Sequence, residues 1–296
     1  MAEQTIEPLD RIAFQIGPIS VYWYGILIGI GVVTGYLLAT REASRRGLGK
    51  DTIGDLLIWL ILFGIIGARL YYVIFRWEEF HSNPLRVFAI WNGGLAIHGA
   101  LIAGIITIYV FCQKRGLSIW KLLDIIAPSV LIGQAIGRWG NFMNQEVYGG
   151  PMTEGQVELY YQLLPDFIMR QMYIDDPVYG LNYYHPTFLY ESLWNFLGVL
   201  VLLYLRRVNL RQGEIFFSYL IWYSAGRFVI EGIRLDNLMI GDVIRVAQLV
   251  SLALIIAAVF LWWYRRAKGL ARARYLDEEN KSGTKKKKRR SGEGRK

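Results

Sequence analysis

Residues 137–149 read G-R-W-G-N-F-M-N-Q-E-V-Y-G and follow an uncharged apolar run. Arg138, Glu146 and the amides Asn141 and Asn144 are set among three glycines and the aromatic residues Trp139, Phe142 and Tyr148. A guanidinium at the end of a lipid-solvated helix is costly, about 2.5–3.5 kcal/mol at mid-bilayer on insertion scales and less near the interface. Amide and backbone donors beside a planar, two-pronged cation suit the oxygens of a phosphate. An arginine that snorkels to lipid headgroups would account for Arg138 alone. The density of polar groups around it points instead to a site for an anionic headgroup.

Further ionisable residues interrupt other apolar stretches. In Y-S-A-G-R-F-V-I-E-G-I-R (223–234), Arg227, Glu231 and Arg234 are spaced i, i+4, i+7 and share one helix face. An internal Arg–Glu pair is the structural reading; two arginines against one glutamate leave a positive charge over. His98 lies in N-G-G-L-A-I-H-G-A, where Gly93, Gly94 and Gly99 permit close approach of a ligand or of another backbone. A hydrogen bond to a neighbouring helix would explain it equally. Glu191, in H-P-T-F-L-Y-E-S, and Tyr24, in V-Y-W-Y-G, each open an apolar run. Tyr24 also suits an interfacial aromatic belt.

The elements that must position these groups are membrane helices. The chain has 296 residues, 54% of them hydrophobic, and no charged residue occurs within 12–40, 87–113 or 246–264. With 56–75, 122–136, 188–205 and 215–230, seven spans are expected in an all-α polytopic membrane protein. The first is not a cleaved signal: Glu3, Glu7, Asp10 and Arg11 precede it, and its apolar run exceeds a signal core. Bases follow the first span (Arg41, Arg45, Arg46, Lys50), the third (Lys114, Arg115, Lys121) and the fifth (Arg206, Arg207, Arg211). The segment 138–187 carries six acids against two bases. The positive-inside rule then places the N-terminus outside, the C-terminus in the cytoplasm and 138–187 outside. His98 is expected about ten residues into the third span, roughly 15 Å deep. On this topology His98, Arg138, Glu191, Arg227 and Tyr24 share the outer half of the bilayer, lining a cavity for an anionic lipid headgroup.

The net charge of +9 is concentrated in a tail. Residues 265–296 hold fourteen Lys/Arg and four Asp/Glu, and end in a low-complexity basic run expected to be disordered. The domain reading is therefore a seven-span membrane body, 1–264, and a basic cytoplasmic tail, 265–296. The tail is expected to face the anionic membrane surface, at about 1 kcal/mol per base; no folded nucleic-acid reader accompanies it. Cys112 is the lone cysteine, and His81, His98 and His185 are scattered, so neither a redox pair nor a metal cluster is expected.

The run 137–149 resembles the signature of prolipoprotein diacylglyceryl transferases, and V-Y-W-Y-G, G-G-L-A-I-H-G, H-P-T-F-L-Y-E and Y-S-A-G-R-F-V-I-E-G-I-R follow the family's order over 12–264. The resemblance implies transfer of the diacylglyceryl group of phosphatidylglycerol to the lipobox cysteine of a bacterial prolipoprotein, in the cytoplasmic (inner) membrane. Glycerol 1-phosphate would be the other product, and no cofactor is needed. It implies Arg138 and Arg227 on the leaving phosphate and His98 or Tyr223 as the base. Asn141, Asn144, Glu146, Gly149 and Tyr24 would shape the phosphatidylglycerol pocket, with Glu231 positioning Arg227.

A transporter would favour broken helices in two matched halves, and an intramembrane serine protease a G-x-S-x-G-like serine; neither is visible in the sequence. A lipid-binding scaffold would not need a deep histidine beside two arginines. The charge-derived topology is tested with a single cysteine replacing Glu154. A membrane-impermeant maleimide should label it in intact cells; labelling only after permeabilisation would invert the assignment.

Overall fold

A computed structural model describes residues 9–235, 239–241 and 244–277. Its long helices match the apolar runs: α1 (Trp23–Arg45), α2 (Thr52–Phe75), α3 (Ile97–Arg115), α4 (Ile119–Asn144), α7 (Thr187–Leu205), α8 (Glu214–Glu231) and α9 (Val246–Ala267). Between α4 and α7 lie the short helices α5 (Glu154–Leu163) and α6 (Asp166–Gln171). Among the described residues, six helices are long and apolar enough to cross a membrane. The seventh, α8, carries Glu214, Arg227 and Glu231 within its eighteen residues. The chain is a multi-pass, mainly helical membrane protein.

Three expected boundaries move. The run 12–40 opens as an antiparallel hairpin, β1 (Ile12–Ile16) and β2 (Ile19–Tyr22), turned at Gly17 with φ +58°, and α1 starts only at Trp23. The run 87–113 begins with short 3₁₀ turns and becomes helical at Ile97. His98 is therefore the second residue of α3, in its first turn, not ten residues down a span. Finally, α4 continues to Asn144, so Arg138 lies inside that helix rather than in the loop after it. Two more hairpins, β3 (Tyr173–Asp176) with β4 (Gly180–Tyr183) and β5 (Met239–Ile240) with β6 (Ile244–Arg245), add strand that the all-helical reading lacked.

The chain divides into two compact units. The first comprises Met1–Gly35 and Ile126–Arg274. Here α1 meets α4 through small residues: a Cβ on Gly31 would lie 3.2 Å from the Gly133 carbonyl oxygen, and one on Gly35 2.8 Å from that of Ser129. Helices α7 and α8 are joined by a reciprocal tryptophan pair. Trp194 donates its indole N–H to the Trp222 carbonyl and Trp222 donates to that of Trp194, both at 2.9 Å, with stacked rings 4.5 Å apart. Each indole occupies the space above a glycine of the opposite helix, Trp222 over Gly198 and Trp194 over Gly226. Both half-buried indole donors thus have an acceptor, and the relative position of the two helices is set close to Arg227.

The second unit comprises Tyr36–Ile125 and Tyr275–Lys296. Its helices α2 and α3 touch backbone to backbone, and a Cβ on Gly99 would fall 2.2 Å from the Gly67 oxygen. Arg69 explains why 87–96 need not be helical. Its guanidinium donates to the carbonyls of Arg86 (2.6 Å), Val87 (2.8 Å), Gly93 (2.8 Å) and Gly94 (2.9 Å). Gly93 and Gly94 both have positive φ, which makes the irregular path accessible. A cation inside the second expected span thus supplies hydrogen bonds that a helix would have made internally.

The expected tail begins folded. Arg266 pairs with buried Glu214 at 2.6 Å, and the Tyr275 hydroxyl donates to Glu42 at 2.8 Å, beneath the Arg46 guanidinium. The basic run expected to anchor the tail, within 278–296, lies outside the described residues.

Gly226→Ala should destabilise the helix pair, because its Cβ would meet Trp194 Cδ1 at 2.2 Å. Overpacking of this kind costs about 1–3 kcal/mol. Gly25→Ala, with nothing near its Cβ, is the control. Thermal unfolding in detergent should show a lower midpoint for Gly226→Ala alone; equal midpoints would contradict the packing argument.

Candidate active site

Glu191 is the centre of the ionic cluster in the first unit. It sits in the second turn of α7 with only 4% of its surface exposed, and both oxygens are used. Arg138 of α4 contacts Oε2 closely; Arg227 of α8 reaches Oε1 at 3.3 Å and Arg234 reaches the same oxygen at 3.9 Å. Glu231 faces the same arginines, 2.9 Å from Arg227 and 3.8 Å from Arg234. The i, i+4 spacing therefore does form an ion pair, but within a larger network that ties α4, α7, α8 and the turn after α8 together. Isolated, any one of these charges would be prohibitively expensive in an apolar interior.

The arginines differ in exposure. Arg234 is 8% exposed, whereas the Arg138 and Arg227 side chains retain 18% and 22%. Arg138 further donates to the Asn141 side-chain oxygen at 3.4 Å. Each of these two guanidinium groups has five N–H donors in a fixed fork, more than the described partners take up. They can therefore accept an additional anionic ligand without giving up Glu191.

The signature run is ordered by side-chain amides. Asn141 donates to Glu146 at 2.8 Å and Asn144, the last residue of α4, donates to the same carboxylate oxygen at 3.4 Å. The chain then reverses through Gln145 and Val147, both with positive φ (51° and 61°), an uncommon conformation for a β-branched residue. Thr187 at the start of α7 donates its hydroxyl to the Val147 carbonyl, which holds that turn against α7. Gly149 follows in a crossing of three segments, where a Cβ would meet His185, Ile233 and Thr187 at 2.8–3.1 Å. Its N–H donates to the His185 carbonyl at 2.9 Å, so this glycine lets the backbones close up. Tyr148 donates to Asp176 at 2.8 Å, and the Tyr179 backbone N–H, this phenol bond and the Val178 N–H hold that carboxyl below the usual carboxylate range.

Of the remaining expected residues, Tyr24 lies with its ring on Gly140, a Cβ there falling 2.7 Å from the ring, and so covers the α4 turn next to Arg138. Tyr223, one turn before Arg227, stacks on Tyr219 at 6.1 Å. In the second unit His98 is exposed and stacks on Tyr71 at 5.8 Å. The sequence reading places Glu191 in the outer polar layer and Arg234 on the helix face of Arg227, but assigns neither of them a role. The only signal for Glu191 was a carboxylate near the start of an apolar run, and for Arg234 the i+7 spacing. A second polar group was missed altogether: the His185 ring nitrogen lies 3.0 Å from the Tyr190 hydroxyl, itself 2.7 Å from that of Tyr160, and burial lowers the His185 pKa.

These features define a multi-pass membrane protein in which two partly exposed guanidinium groups share a buried carboxylate beside an Asn- and Gly-rich helix end. The family model for prolipoprotein diacylglyceryl transferase matches residues 11–264. Similar proteins named phosphatidylglycerol–prolipoprotein diacylglyceryl transferase occur in Halalkalibacterium halodurans (64% identical, 95% of each chain) and Shouchella clausii (60% identical, 89% of this chain and 93% of the relative). A third, from Geobacillus kaustophilus, is 56% identical over 93% of this chain and its own full length. The chain belongs to the prolipoprotein diacylglyceryl transferase family.

Glu191→Gln keeps the side-chain volume but removes the charge shared by three arginines. It should destabilise the protein by about 3–5 kcal/mol, as expected for breaking a buried ionic network. Arg45→Ala, whose side chain is 72% exposed and 3.8 Å from Glu42, should cost less than about 1 kcal/mol. Unfolding in detergent measures both; a Glu191→Gln midpoint no lower than that of Arg45→Ala would show that the network is not a structural hub.

Proposed function

We infer that the protein transfers the diacylglyceryl group of phosphatidylglycerol to the lipobox cysteine thiol of prolipoproteins and releases glycerol 1-phosphate, the first step of lipoprotein lipidation. The observation that carries the reading is the sharing of one buried carboxylate by Arg138 and Arg227, from different helices, with both guanidinium groups still partly exposed. In the reaction the cysteine sulfur forms a bond to the glycerol carbon that bears the phosphate. The C–O bond to phosphate breaks, its electron pair stays on the phosphate oxygen and the thiol proton passes to a base. Negative charge grows on the leaving monoester, where two preorganised guanidinium groups in a low-dielectric site stabilise it most.

Arg138 and Arg227 are assigned to the phosphate, and Glu231 to holding Arg227 in place. Asn141, Asn144, Glu146, Gly149 and Tyr24 are assigned to the phosphatidylglycerol pocket. A free thiol has a pKa near 8.5, so deprotonation needs help at neutral pH. His98 is the base in this reading, supported by its exposed ring at the start of α3, with Tyr223 the alternative. The loop charges support a cytoplasmic-membrane enzyme with its N-terminus and active site on the outer side, and with a basic tail facing the anionic cytoplasmic leaflet.

Purified protein, labelled phosphatidylglycerol and a lipobox peptide test the assignment directly. The expected products are a diacylglyceryl-thioether peptide and glycerol 1-phosphate; lipid binding without either would mark a lipid carrier. His98→Gln should lower turnover roughly 10²–10⁴-fold, the worth of a general base, with phosphatidylglycerol still bound. An unchanged rate and pH profile would move the role to Tyr223. Arg138→Lys keeps the charge without the planar fork and should retain partial lipid binding with poor turnover, whereas Arg138→Ala should lose both. Full turnover in Arg138→Ala would remove that residue from the phosphate site.

A further inference from the structure

The second unit contains a cleft of about 590 Å³ along the outer face of α2 and α3. The helices are in contact at Gly67 and Gly99, where a Cβ on Gly67 would meet the Gly99 oxygen at 2.6 Å and Ala103 at 2.4 Å. From there the cleft runs to the C-terminal end of α3, between Trp59, Phe63, Ile66 and Leu70 on one side and Ile106 and Val110 on the other. Thr107 also lines it, but its hydroxyl donates to the Ala103 carbonyl at 2.7 Å, so the wall offers no unsatisfied side-chain donor there. Lys114 and Arg115 close the far end. Arg115 is engaged, paired with Asp55 and set 4.9 Å above the Phe111 ring, while the Lys114 side chain is exposed.

An apolar slot that ends in a cation has the amphipathic form of a single lipid: hydrocarbon beside aliphatic and aromatic walls, and an anionic phosphate at the ammonium group. The volume is within the roughly 300–1,000 Å³ range of small-molecule sites. Ordinary lipid-facing helix surface has neither the concavity nor the fixed charge. We propose that this cleft is a binding site for one anionic phospholipid, with an acyl chain along the Trp59–Leu70 wall and its phosphate on Lys114. The site goes beyond the transferase reading and is separate from the residues assigned to phosphatidylglycerol. On the charge-derived topology Lys114 is cytoplasmic, so the bound lipid belongs to the inner leaflet and acts as a structural or regulatory ligand.

Native mass spectrometry of the full chain, released from bicelles of phosphatidylserine in phosphatidylcholine, counts the lipids retained. One phosphatidylserine should remain bound in preference to phosphatidylcholine. Lys114→Gln should weaken its retention about fivefold, the worth of one base at an anionic surface, and Lys114→Arg should restore it. Ile106→Trp, at an exposed cleft position, should block binding while leaving the melting midpoint unchanged. Arg138→Ala, which empties the transferase site, should leave this lipid in place; its loss there would assign the lipid to the substrate pocket and overturn the proposal. Equal retention of phosphatidylcholine, full retention in Lys114→Gln, or a dimer that Ile106→Trp dissociates would overturn it too.

Discussion

The carboxylate of Glu191 is the constraint on which the first unit depends. Burying a carboxylate with almost no exposure is tolerable only if cations approach it closely and its lone pairs are occupied. Arg138 comes from α4, Arg227 from α8 and Arg234 from the turn after α8, so the condition can be met only if these elements converge on α7. The ionic network is consequently both a tertiary fastener and the device that aims two guanidinium groups. Glu231 completes it by pairing with Arg227 and Arg234 from within α8.

That convergence rests on close backbone packing. Gly31 meets Gly133 and Gly35 meets Ser129 backbone to backbone, whereas Gly198 and Gly226 leave room between α7 and α8 for the Trp222 and Trp194 indoles. Bulkier residues there would separate α1 from α4 and α7 from α8. Lipid supplies no hydrophobic drive for helix association, so such small-residue contacts and satisfied indole hydrogen bonds bear the packing. The helices that carry Arg138 and Arg227 are thus positioned by glycines, one of which, Gly226, directly precedes Arg227.

The same arrangement suits displacement at a phosphate-bearing carbon. A guanidinium held by carboxylates is already oriented and desolvated, so little reorganisation is needed as charge develops on the leaving oxygen. The carboxylates hold the guanidinium groups without covering them fully, as the residual exposure of Arg138 and Arg227 shows. Arg69 marks the contrasting use of the same side chain. Its donors are directed at the carbonyls of a single irregular segment, and its function is to make that segment possible.

Hydropathy and residue spacing by themselves determined that the chain crosses a membrane several times, and they singled out 137–149 and 223–234, whose arginines meet in the ionic cluster. They also determined that Arg227 and Glu231 face one another, because a helix repeats every 3.6 residues whatever surrounds it. Only the tertiary structure decided that 12–22 is a hairpin and that α3 begins at Ile97, which moves His98 to a helix start. Apolar residues score alike in a helix and in an irregular segment whose carbonyls are covered by Arg69, so composition cannot separate the two. Glu191 is the extreme case: its role is set by arginines 36 to 53 positions away from it in sequence and on separate elements. No local pattern records such partners, since the energy that selects them exists only once the helices have packed.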